Sequence, residues 1–186
     1  GCGEEKPASD IGSAELTALS NADTTGYARA YAPRDFVFPD DDGPHPTFKT
    51  EWWYWTGNLS ARDGRRFGYQ FTVFRNALAP ASPSVPEDSA RGWRSRQMYF
   101  AHFALSDIDG KRFHAFERFS RGAMRLAGAQ AAPFRVWVES WQASGVSDSV
   151  QITAEENGIG VALTLFSEKN AVLQGDRGYS RKSAEP

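Results

Sequence analysis

Val150-Gln-Ile-Thr-Ala-Glu-Glu-Asn-Gly-Ile-Gly-Val-Ala-Leu-Thr-Leu165 reads as a β-hairpin. Asn157-Gly158 supplies two residues that accept the positive φ angles of a tight two-residue turn. Folding the chain there sets Ala154, Ile152 and Val150 against Val161, Leu163 and Leu165. Gln151, Thr153, Ala162 and Thr164 fall on the opposite face. One apolar face and one largely polar face specify a half-buried antiparallel pair, and they fix its register.

Two similar signals lie upstream, at Asp63-Gly64 and Asp109-Gly110. Around them, extended runs predict strands at Thr50–Leu59, Arg66–Arg75, Met98–Asp107 and Arg112–Ser120. Further strands are expected at Phe134–Gln142, Val150–Glu155 and Ile159–Ser167. Two-residue turns would set Trp52 opposite Arg75, Trp53 opposite Phe74 and Tyr54 opposite Val73. In the second hairpin they would set Asp107 opposite Arg112 and His102 opposite Glu117. Arg121–Ala132, rich in Gly and Ala, suits a short helical turn. Asn76–Gln97 is a long Pro- and Ser-rich loop of the kind that forms lids and mobile surface segments.

Successive hairpins predict an all-β fold, an antiparallel up-and-down β-barrel. About eight strands would enclose a small ligand, and seven are legible. Either Phe36–Phe38 helps fill the gap, or the barrel is incomplete at its C-terminus, with the closing strand past Pro186.

The 186 residues suffice for one ordinary domain. A net charge of −2 argues against a phosphate-dominated nucleic-acid binder. No apolar run approaches the roughly 20 residues of a membrane helix. The one cysteine, Cys2, allows neither an intrachain disulfide nor a cysteine cluster for zinc. His45, His102 and His114 follow no zinc spacing, so no metal is expected. Residues 1–35 are small and polar and read as a flexible tether with a short helix near Ser13–Leu19. Gly1-Cys2-Gly3 followed by such a spacer looks like the end of a bacterial lipobox, which would make Cys2 a lipidation site and a lipid anchor the only membrane contact. An incidental cysteine in a disordered tail is the alternative. The globular part is 36–186.

Glu51-Trp52-Trp53-Tyr54-Trp55 is aromatic on both faces of its strand, with Trp52 and Tyr54 on one side and Trp53 and Trp55 on the other. One face can line a barrel, and the other needs a cover. Upstream, Asp40-Asp41-Asp42 places three carboxylates together, an arrangement that raises a pKa or attracts a cation. The loop has too few fixed oxygen ligands for calcium.

These residues carry a resemblance. Phe38-Pro-Asp-Asp-Asp-Gly-Pro-His-Pro46, followed by Thr50-Glu-Trp-Trp-Tyr-Trp-Thr-Gly-Asn-Leu59, resembles the signature of the AttH-like lipocalin family, which includes carotenoid 1,2-hydratases. The likeness continues through Tyr99–Asp107, Phe113–Ala123, Phe134–Trp141 and Leu173–Gly178. The family usually has Asp-His-Gly where this chain has Asp41-Asp42-Gly43. The resemblance implies two consecutive lipocalin-like barrels, of which this chain is the first. It also implies a bacterial periplasmic or cell-envelope protein, associated in some members with an ABC-type exporter.

Two functions follow from it. One is the binding of an apolar, lipid- or isoprenoid-like molecule, with His45, Trp53, Tyr54, Gln70, Glu117 and Trp137 as candidate ligand-binding residues. The other is a hydro-lyase that adds water to an isoprenoid double bond without a cofactor. There Asp41 or Glu51 would donate the proton, and His102 with Glu117 would position the water. Facing rings such as Trp53, Tyr54 and Trp137 would stabilise the developing cation. A His102–Glu117 pair inside the barrel would be the anchor for a ligand's polar end. Each of these residues also has a plain structural reading, as core packing or a structural hydrogen bond.

Overall fold

The structure is a computed structural model and describes residues 23–81, 96–146 and 148–180. Cys2, the 13–19 segment, the middle of the 76–97 loop and the last six residues lie outside the described residues.

Nine strands form two antiparallel sheets. Sheet A holds β1 (Thr50–Ser60), β2 (Arg66–Ala77), β3 (Gln97–Asp107) and β4 (Arg112–Arg121). Sheet B holds β5 (Ala127–Gln130), β6 (Arg135–Val138), β7 (Trp141–Val146), β8 (Ser149–Glu156) and β9 (Ile159–Phe166). Each strand pairs with its neighbour in sequence except across the break between β4 and β5. The order is therefore up-and-down, as the hairpins predict. Among the described residues no pairing joins β9 to β1, so the barrel is open. Phe36–Phe38 is not a strand and does not fill that gap.

The β8–β9 register is the expected one, with Asn157 and Gly158 at positive φ in a two-residue turn. The β3–β4 register also holds, with His102 opposite Glu117. Its loop has four residues rather than two, which preserves the pairing. The β1–β2 register slips by one: Trp52 faces Phe74, Trp53 faces Val73 and Glu51 faces Arg75. The cause is the turn. Gly64 N–H donates to Ala61 O at 3.0 Å, and Ala61 N–H to Arg65 O at 2.8 Å. Gly64 takes φ +88°, a conformation that strains any residue with a Cβ. The loop is a three-residue turn with a glycine bulge, one residue longer than a type I′ turn.

Phe134–Gln142 is not one strand. The chain reverses at Glu139-Ser140, with Val138 paired to Trp141. Glu139 adopts φ +56° without being glycine, and its N–H donates to Leu126 O at 2.6 Å. Nothing in the residue type announces this turn. Upstream, a single 3-10 turn at Ala123–Arg125 fits the helical expectation, and the small residues after it form β5. The Trp137 ring lies over Gly128, its cross-strand partner.

The inner faces of the sheets meet in one core. Phe71, Val73, Ala101 and Phe103 come from sheet A, and Val136, Val138, Trp141, Ala143 and Ile152 from sheet B. Trp141 is fully buried. Its ring stands edge-on to Phe103 at 5.9 Å, Arg118 lies over it at 4.5 Å, and its Nε1–H donates to Glu155 O at 2.9 Å.

Trp141→Ala removes this packing, the cation–π contact and the hydrogen bond together. Urea unfolding is expected to show a loss of about 3–5 kcal/mol. Trp52→Ala, on a ring 53% exposed on the outer face, should cost about 1 kcal/mol or less.

Candidate functional site

β1 is an edge strand of sheet A, so the residues on its inner face look into the open seam toward sheet B. Those residues are Glu51, Trp53, Trp55, Gly57 and Leu59. The segment that precedes β1 closes over the seam. A 3-10 turn at Asp40–Asp42 is held by Asp42 N–H to Pro39 O and Gly43 N–H to Asp40 O, both 3.0 Å. Asp42 O accepts from Trp53 Nε1–H at 2.9 Å, which ties the turn to sheet A. Gly43 presses on Ala131 of sheet B so closely that a Cβ there would sit 2.5 Å from the alanine methyl. Only glycine lets the loop bridge the two sheets at this point.

A chain of charges anchors the loop. Arg34 pairs with Asp41. Asp41 Oδ1 lies 2.9 Å from His45 Nε2, and Asp41 Oδ2 accepts Val37 N–H at 2.6 Å. His45 Nδ1 lies 2.6 Å from Glu51 Oε1, and the His45 N–H also donates to both Glu51 oxygens. Arg75 Nε donates to Glu51 Oε2 at 3.1 Å. The Arg75 side chain is 2% exposed. Its remaining N–H groups donate to Gln97 Oε1, His45 O and Phe48 O, each at 2.9 Å.

Protonation follows from this geometry. The Arg34 guanidinium, the Val37 N–H and His45 hold the Asp41 carboxyl well below the usual carboxylate range. Burial opposes a charge on His45, but hydrogen bonds to Asp41 and Glu51 together outweigh it and raise its pKa. Asp42 goes the other way from Asp41: partial burial first, then the Asp41 charge, push its carboxyl up.

Beneath the loop lies a pocket of about 660 Å³ in the seam, within the usual range for small-molecule sites. Trp53 and Trp55 line it from sheet A, Val150 and Leu165 from sheet B, and Phe134 from the turn before β6. Asp40, Asp42 and Asp148 also line it. Trp55 stacks on Phe71 at 5.9 Å and meets Phe134 at 6.4 Å, so its ring is fixed from both sides of the seam.

The structure divides the sequence candidates into separate places. Asp41, His45, Glu51 and Trp53 come together at the loop. Asp41 and Glu51 are engaged in ion pairs, and neither they nor His45 lines the pocket. Tyr54, Gln70, His102 and Glu117 lie exposed on the outer face of sheet A. His102 does face Glu117, but outside the sheets, where it cannot anchor a ligand within them; its ring packs against Phe74 at 5.5 Å. Trp137 is on the outer face of sheet B, under Arg135, with its Nε1–H donated to Arg125 O at 2.9 Å. Trp53, Tyr54 and Trp137 therefore do not face one another. Arg34, Arg75, Asp42, Trp55 and Phe134 were missed. The Glu51–Arg75 pair follows from the glycine bulge at Gly64, whereas the expected two-residue turn sets Trp52 opposite Arg75.

A family model described as AttH-like matches residues 29–186. A crystal structure from Nitrosomonas europaea, assigned to AttH, superposes with a TM-score of 0.65 at 29% identity and covers 81% of this chain. The chain spans 45% of that protein's length. No curated protein matches.

The raised pKa of His45 gives a sign for the pH dependence of stability. Its contribution is fully present below the unfolded value, near 6.5, and is lost as pH rises through the folded value. The stability advantage of wild type over His45→Gln, measured by urea unfolding, should be largest near pH 6 and shrink toward pH 9. An advantage that grows with pH would contradict the His45 geometry.

Proposed function

We propose that this chain, which belongs to the AttH-like family, is a binding module that holds an apolar small molecule in the seam pocket. The observation behind this reading is the pocket itself. It has roughly the volume of a small ligand, and its aromatic and aliphatic lining comes from both sheets. The rigid Trp55 supplies much of that surface at little entropic cost. A second lipocalin-like barrel, an envelope location and association with an exporter belong to the same proposal. The 45% share of the Nitrosomonas relative is compatible with a longer chain.

Nile red, a neutral apolar dye, tests the reading. The full chain should bind it at one site and brighten it. Trp55→Ala should weaken binding about ten-fold or more. Tyr54→Ala, on the outer face, should leave it unchanged. Equal loss in both variants, or loss only in Tyr54→Ala, would move the site to the outer face.

One observation favours hydration as a second reading. Alkene hydration starts with a proton donor in an apolar site. Asp42 lines the pocket beside Trp53 and is pushed toward its protonated form. Incubating the chain with an acyclic isoprenoid alkene should then give a product heavier by one water, detected by mass spectrometry. Asp42→Asn should abolish it. Product formation that survives Asp42→Asn would remove Asp42 from the role, and no product from wild type would leave binding alone.

A further inference from the structure

We propose that the seam pocket selects amphiphiles by the charge of their head group, taking a cationic head such as an alkylammonium and rejecting an anionic one. The inference rests on the reading of the pocket as a binding site and adds the class of ligand. Among the described residues, the ionisable groups that line the pocket are all carboxylates, Asp40, Asp42 and Asp148, and no Lys, Arg or His is with them. Two nearby cations are already engaged, Arg34 of the loop by Asp41 and Arg75 of β2 by Glu51. These carboxylates are exposed at the pocket's mouth, and the side-chain charge they place there is negative.

The apolar lining reinforces the selection. Trp53 and Trp55 line the pocket, and an aromatic ring attracts an ammonium through its quadrupole but has nothing comparable for a carboxylate or sulfate. A quaternary ammonium is also weakly hydrated, so its transfer to a mouth formed by rings and carboxylates costs less than that of a compact anion. The carboxyl of Asp42, which its surroundings push toward neutrality, regains a counter-charge when a cation binds. An anionic head would meet Asp40, Asp42 and Asp148 with no compensating donor from a basic side chain among the described lining residues. A neutral alcohol would bind through its chain, with intermediate affinity.

Displacement of Nile red by three compounds with the same ten-carbon chain tests this on the full chain, below their micelle thresholds. Decanol reports the apolar pocket, decyltrimethylammonium the cationic preference and decyl sulfate the anionic one. The cation is expected to bind at least about ten-fold tighter than the sulfate, with decanol between them. Raising the salt should narrow that ratio. Asp42→Asn and Asp148→Asn should each narrow it by about three-fold or more, a larger change than either makes to decanol binding. If none of the three displaces the dye, the pocket is not the binding site and the functional reading falls. If decanol competes but the sulfate binds as well as the cation, the pocket stands and the charge selection is wrong. A preference that survives both Asn substitutions would also overturn it.

Discussion

The buried guanidinium of Arg75 is the constraint on which the architecture of the site depends. A cation almost withdrawn from water is tolerable only when its donors are satisfied and its charge is paired. Arg75 meets both demands through Glu51, Gln97 and the carbonyls of His45 and Phe48. Those partners come from β1, β3 and the loop before β1, so one side chain fixes where the loop leaves the sheet. Glu51, oriented by Arg75, orients His45; His45 and Arg34 orient Asp41; and Asp41 holds the 3-10 turn that puts Asp42 and Gly43 over the seam. Removing one partner of such a pair typically costs about 3–5 kcal/mol, because the other charge stays buried. The order of that loop is thus inherited from a residue on the second strand.

The aromatic residues show the same logic of two faces. Along β1 the odd positions turn inward and the even ones outward, so Trp53 and Trp55 join the core side while Trp52 and Tyr54 face outward. The outward set continues across sheet A. Trp52 pairs with Phe74, Phe74 with Phe100, and Phe100 with Phe119, one ring from each strand. Phe100 and Phe119 lie 4.8 Å apart. The core between the sheets is filled instead by a few large rings set against small residues such as Ala101, Ala127, Ala143 and Ala154. This complementarity brings the sheets together in the middle, while the unpaired edge at β1 and β9 leaves room for the pocket.

The up-and-down order and two of the three hairpin registers were readable because hairpin turns and alternation are local. Asn157-Gly158 dictates its own geometry, and four residues at Asp109-Gly110 keep the same pairing as two. The failures were also local. At Asp63-Gly64 the dipeptide is compatible with both a two-residue turn and a glycine bulge, and the choice moves every partner on β1 by one. At Glu139 a non-glycine residue takes positive φ because the surrounding pairs over-determine it, which composition does not reveal. The site was legible only where sequence neighbours are also spatial neighbours. Asp41, His45 and Glu51 lie within one short segment. Phe134, Val150 and Leu165 reach the pocket from the turn before β6 and from two strands of the other sheet, and no pattern along the chain links them to Trp55.

Asp41 and Asp42 show why a carboxylate run says little until its surroundings are known. They are adjacent and chemically identical, yet they are pushed in opposite directions. Asp41 meets a guanidinium, a backbone N–H and an imidazole; Asp42 meets partial burial and the charge of Asp41 itself. Pairs of acids whose environments separate their protonation are the usual way a site obtains one fixed charge and one responsive group. Here the fixed charge belongs to the scaffold and points away from the pocket, where it holds the loop. The responsive carboxyl lines the cavity beside Trp53. Interchanging their roles would leave the loop without its anchor. Asp42 is the one of the two that lines the cavity, and Asp41 acts on it only through the position it imposes on the turn.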